Sequence, residues 1–148
     1  EELDNVRLQV RVLQLRGTAA LRGGEAEAAL PILTRACELG EAAGHPLLGR
    51  ALLGSRRIWS LWLTGDHDAA RERAQRLAEV IREGENLPTQ AGPEICYVVG
   101  TVLGDEGSAY RDRAAALVEA RADEILDPEY RDRWLRTAWP ARELTTPE

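Results

Sequence analysis

The 148 residues, 44% of them apolar, are enough for one hydrophobic core of ordinary size. Acidic residues outnumber basic ones by 25 to 19, for a net charge of −6, and no basic run stands clear of acidic neighbours. This argues against nucleic-acid binding through a broad positive face.

In chain order, the first helix is expected over 2–22, where Val6, Leu8, Val10, Val12, Leu13 and Leu15 give an apolar side wide enough to pack on two sides. Gly23 and Gly24 end it. A second helix is predicted from Glu25 to Ala43, with acidic residues at its start suiting the helix dipole and Gly44 as its stop. Pro31, inside the first two turns, should delay its start or kink it. His45 and Pro46 open a third helix running to Thr64, and Asp66 caps a fourth that carries Ala70, Ala74, Leu77 and Ile81 on one face. GENLPTQAGP, residues 84–93, reads as a loop between units.

The fifth helix is placed over about 93–103. Its β-branched run ICYVVGTVL also suits a strand, but a single strand in a helical chain has no partner. GDEG turns the chain into a sixth helix over about 108–126, with Tyr110, Ala114, Leu117, Val118 and Ile125 facing inward. Asp127 followed by Pro128 is an N-cap with proline at the first helical position, so a seventh helix should run to Trp139. Pro140 should stop it, leaving 140–148 as a frayed tail.

Small residues recur through this pattern. Gly17, Ala20, Gly24, Ala29 and Ala36 stand where two antiparallel helices touch closely and turn tightly, and Gly65, Ala70 and Leu77 repeat Gly24, Ala29 and Ala36 at one constant offset of 41 residues. Gly100 and Gly107 keep the spacing of Gly17 and Gly24, although Asp112 replaces the small residue expected opposite Ala29. The spacing resembles the tetratricopeptide repeat (TPR), in one of its versions longer than the common unit of roughly 34 residues. The last third, from VLGDEG through the Asp127-Pro128-Glu129 cap to Trp134 and Leu135, resembles the closing segment of TPR arrays in large bacterial ATPase-type signalling proteins and transcriptional activators. The resemblance implies an all-α, right-handed solenoid of three hairpins, at about 2–43, 45–83 and 90–126, closed by a capping helix at about 127–139.

Residues capable of chemistry are sparse. His45 and His67 sit at helix starts without metal-like partners, and Cys37 and Cys96 lack ligand spacing and read as small buried apolar residues in a reducing compartment. No phosphate-binding glycine loop or nucleophile elbow occurs, so neither enzymatic activity nor a metal or cofactor is expected. The arginines of the fourth helix, Arg71, Arg73 and Arg76, read as a solvated face. One constellation remains. Trp59 and Trp62 lie three apart in IWSLWL, level with Thr18 and Leu21 of the first unit, and the TPR resemblance sets them on a concave face with Arg11, Gln14, Ser55 and Tyr97. Exposed aromatics with arginine carry binding energy in interfaces, whereas tryptophans at helical spacing also serve as core.

Three functions suit these features: a non-catalytic module binding a protein, a peptide or adjacent domains of its parent protein; a sensor holding a small molecule or peptide in the groove and passing that state to an attached ATPase or DNA-binding domain; and a homodimerisation scaffold that buries the Trp59 and Trp62 face. With no apolar stretch near the roughly 20 residues that cross a membrane, a cytoplasmic location without membrane contact is expected. All basic residues being Arg suggests a GC-rich bacterial genome, and the absence of Met suggests a piece of a longer chain.

Overall fold

The computed structural model describes residues 2–83 and 86–145, and among these the chain is all-α with no strand. The helices are α1 (Glu2–Arg22), α2 (Ala26–Ala42), α3 (Leu47–Leu63), α4 (His67–Glu83) and α5 (Gly92–Leu103). A 3-10 turn (Gly104–Gly107) leads into α6 (Ser108–Glu124), followed by α7 (Pro128–Thr137) and α8 (Ala141–Thr145). None of them is long and apolar enough to cross a membrane. Of the expected loop over 84–93, residues 84 and 85 lie outside the described residues, and Gly92 and Pro93 already belong to α5.

The turns after α1, α2 and α3 are built alike, Gly44 at φ +63° letting the His45 amide donate to the Gly40 carbonyl (2.9 Å) in the second. Gly24 and Gly65 take φ of +81° and +89°, a left-handed conformation that costs glycine nothing. That turn lets the Glu25 amide donate to the Ala20 carbonyl (2.9 Å) and the Asp66 amide to the Leu61 carbonyl (3.0 Å), closing each helix end in the same way. Gly17 serves the helix crossing instead: a Cβ there would meet the Leu33 side chain at 2.7 Å. Ala29 and Ala70 are both fully buried at the corresponding crossings. The turn after α5 departs from this template. Gly104, not Gly107, carries the positive φ of +64°, and a Cβ on Gly107 would come within 2.6 Å of the Gly100 carbonyl oxygen.

Pro31 neither delays α2 nor sits at its start, because the helix already runs from Ala26. Both Pro31 and Glu27 are on the exposed side, where water can serve the carbonyl that proline leaves without an amide. The β-branched run is helical in α5 because that helix is central, packed on α3, α4 and α6. Ile95, Cys96, Val98 and Val99 are all fully buried, as befits a helix with neighbours on most of its sides. It anchors the larger core, with Ile58 and Leu61 of α3 and Ala74 and Ile81 of α4. A smaller core joins Val10, Leu33, Ala36 and Leu53 of α1, α2 and α3. The second packing side expected of α1 stays open, with Leu8 and Leu15 63% and 57% exposed.

The C-terminal region differs most from expectation. Asp127 caps α7 as predicted, its carboxylate accepting from the Tyr130 amide at 2.9 Å. The helix then ends at Thr137, and none of its residues is buried. Ala138 is extended, at φ −79° and ψ 130°, and this turns the chain back toward the body. Residues 140–145 are therefore no frayed tail. Pro140 and Ala141 are buried and α8 packs on α6, so the covering role expected of 127–139 falls largely to this shorter segment. Residues 146–148 of the expected tail lie outside the described residues.

Candidate functional site

The return of the chain at Ala138 brings Trp139 onto the face of α3 and α5. Its ring centroid lies 5.5 Å from that of Trp59 and 5.4 Å, edge-on, from that of Tyr97. Trp59 and Tyr97 are themselves 5.9 Å apart, so three half-buried rings from three distant parts of the sequence form one cluster. Tilted and edge-to-face pairs at these separations favour the ring quadrupoles and add to the burial of the rings.

The cluster forms one end of a cleft of about 680 Å³. Thr18 and Leu21 of α1 lie along it, Glu94 and Tyr97 come from α5, and Arg142 and Glu143 of α8 form its rim. Beneath it, Arg56 of α3 is held on both sides. Its Nε and one terminal nitrogen donate to the two oxygens of Glu94 at 2.8 and 3.1 Å, while the other donates to the Thr18 hydroxyl at 2.9 Å. The two charged side chains are only 10% and 13% exposed, which makes this a buried bidentate pair tying α1, α3 and α5 together. Burial first, and then the Glu143 carboxylate, push the Tyr97 phenol above its ordinary range, so the ring faces the cleft as a neutral hydrogen-bonding group.

Of the residues predicted for a concave face, Thr18, Trp59 and Tyr97 meet in this cleft. The others do not line it. Arg11 is exposed and Gln14 half-buried on α1. Ser55 is fully buried, its hydroxyl donating to the Leu52 carbonyl at 2.8 Å, because α3 is enclosed on more than one side. Trp62 turns toward the start of α4 and stacks on His67, with centroids 4.2 Å apart.

Sequence reasoning missed Arg56, Glu94 and Trp139. The Pro93-Glu94 pair marked a helix start, and Arg56 was one of two adjacent arginines with nothing to distinguish them. Trp139, expected as the last residue of a helix, instead follows the extended Ala138.

Nothing in the cleft makes a nucleophile, base and oxyanion site together, and among the described residues no three His, Cys, Asp or Glu side chains are grouped to hold a metal ion. What the arrangement offers is aromatic surface, a charged rim and hydrogen-bonding edges. Compared with known proteins, the chain matches no family model, no curated protein and no solved structure.

Proposed function

We propose that this chain is a non-catalytic binding module of TPR type, a right-handed stack of helical hairpins whose inner cleft receives a peptide segment of a protein partner. The observation that carries the reading is the aromatic wall of Trp59 and Tyr97, which already holds one ring, Trp139, in a cleft large enough for several side chains. Rigid aromatic rings beside an arginine and a carboxylate give large contact area at low entropic cost, the usual composition of binding hot spots. The repeat reading draws support from the contacts of α3 with both α1 and α5, a neighbour-to-neighbour arrangement that stacked hairpins share. The resemblance to bacterial signalling proteins and transcriptional regulators sets the context in which such a partner, another domain of the same parent protein included, would be met. Cytoplasmic location without nucleic-acid or membrane contact belongs to this reading.

A peptide library displayed on phage, selected on the intact chain and counter-selected on Trp59→Ala, tests it. Enriched sequences should bind the parent chain at micromolar Kd and lose at least tenfold on Trp59→Ala or Tyr97→Ala. If no enriched peptide distinguishes the parent from both variants, the cleft is not a peptide site.

Homodimerisation is the second reading, and a different surface favours it. Trp59 is engaged by the chain's own Trp139, whereas Leu8, Val12 and Leu15 form an exposed stripe at i, i+4 and i+7 along α1. A self-complementary pair of such stripes is the simplest two-fold contact the chain offers.

A further inference from the structure

Arg57 and Trp59 are two residues apart on α3, and so about 200° apart around the helix. Arg57 therefore faces away from the aromatic cleft, into a second concavity of about 260 Å³ enclosed by α2, α3 and α4. Its walls are apolar, supplied by Leu47, Leu53, Ile58, Leu77 and Val80. Its charged groups are unequal: the guanidiniums of Arg50, Arg57, Arg73 and Arg76 line it with the carboxylate of Glu41. Arg73 and Arg76 are thus part of a groove and not only of a solvated face, and Arg71 donates to the Leu103 carbonyl at 3.1 Å.

The four arginines differ in how they are satisfied. Arg76 is paired with Glu72 on its own helix. Arg57 is half-buried, its Nε is shielded from solvent, and that nitrogen has no hydrogen-bond partner. The Cys37 thiol, which lines the same groove, is only a weak acceptor. Glu38, on α2, already pairs with Arg35 at 3.6 Å in solvent. Arg73, from α4, lies close enough to repel the Arg57 cation, and among the described residues Glu41 forms no ion pair with Arg57. Burial, with Arg73 second, lowers the affinity of Arg57 for its proton. A desolvated cation beside another cation, aimed into an apolar groove, is an unfavourable arrangement unless an anion shares the site.

We propose that this outer groove binds a small organic carboxylate with an apolar body, its two oxygens taken by Arg57 and Arg73 and its hydrocarbon lying on Leu53, Ile58, Leu77 and Val80. The planar fork of arginine matches a carboxylate in two parallel hydrogen bonds, and a mostly apolar wall suits a monoanion carrying hydrocarbon better than a compact, strongly hydrated dianion. The site is separate from the aromatic cleft and does not depend on what that cleft binds.

Calorimetric titration of the intact chain with octanoate, octanol, acetate and inorganic phosphate separates the two halves of the idea. Octanoate should bind saturably in the millimolar range or tighter and raise the melting temperature. Octanol lacks the charge, acetate the hydrocarbon and phosphate both the hydrocarbon and the monoanionic fork, so each should bind at least tenfold more weakly. Arg57→Met should weaken octanoate at least tenfold while melting no lower than the parent, since it removes a charge that the fold itself does not pair. Arg73→Gln, on the neighbouring helix α4, should weaken octanoate several-fold and provides a second variant should Arg57→Met fold poorly. The proposal is overturned by the absence of saturable octanoate binding, by octanol or phosphate binding as well as octanoate, or by unchanged octanoate affinity in both variants.

Discussion

Arg56 and Glu94, 38 residues apart in the chain, meet through two nearly parallel hydrogen bonds of 2.8 and 3.1 Å in the floor of the aromatic cleft. Such a pair stabilises only while both members are present, because the loss of one leaves the other charge desolvated. Arg56→Met or Glu94→Leu alone should therefore cost about 3–5 kcal/mol in urea unfolding, and the double change should cost clearly less than the sum. Thr18→Val, which removes only the third hydrogen bond on the guanidinium, should cost about 1–3 kcal/mol. Additive effects of the two charge removals would mean that the pair is not coupled in solution.

The C-terminal segment should matter more than its sequence suggests. Ending the chain after Thr137 removes Trp139 from the ring cluster and exposes the surface that Pro140 and Ala141 cover. The truncated protein should melt well below the parent and bind a dye for apolar surface. Trp139→Ala alone should lower stability on the order of 2 kcal/mol. Equal melting of parent and truncated chains would show that 138–145 is not docked in solution.

How much of this could be read in advance depended on how local the cause was. Gly24, Gly65 and Asp127 act within a few residues of themselves, through a left-handed turn or a capped amide, and their helix boundaries were legible. Ser55 and Arg56 show the limit. Adjacent residues point about 100° apart, so assigning Ser55 to the open face of α3 required knowing how many sides of that helix are enclosed. The packing of α2, α4 and α5 on α3 decides this, and none of these contacts is encoded near position 55. Charges default to solvent in a chain with 30% Asp, Glu and Arg, which concealed Arg56 and Glu94 as a buried pair. Pro140 reads correctly as a helix stop, but a stop says nothing about where the chain goes next.

Helix crossings give a sharper test of the repeat register. Ala29→Leu and Ala70→Leu insert bulk at two fully buried positions, and each should cost about 1–3 kcal/mol. Gly107→Ala should be at least as damaging, since its Cβ would meet backbone at 2.6 Å and backbone yields less easily than a side chain. Thermal unfolding of the three variants checks the order.

Alkaline pH should destabilise the fold through Cys96. Burial pushes its thiol from 9.0 up to about 11, so the folded state holds a proton that the unfolded state releases first. The associated stability is complete below pH 9.0 and is lost as pH rises toward about 11. Urea unfolding across that window should show a decline that Cys96→Val reduces. An identical slope in parent and variant would place the titrating group elsewhere.

Sedimentation over a hundredfold concentration range tests the α1 stripe. If the dimer forms there, Leu8→Glu with Leu15→Glu should give a monomer with unchanged melting temperature, because both side chains are already more than half exposed. Trp59→Ala should leave the association as it was.

The docking of Trp139 against Trp59 and Tyr97 also makes the chain a competitor for its own cleft. A tethered ring is present at an effective concentration on the order of millimolar however dilute the protein is, and an arriving aromatic segment from another molecule has to outbid it. The affinity measured for an outsider is then the difference between two occupants. Lengthening or loosening the stretch around Ala138 would tighten that apparent affinity without altering any residue of α1, α3 or α5.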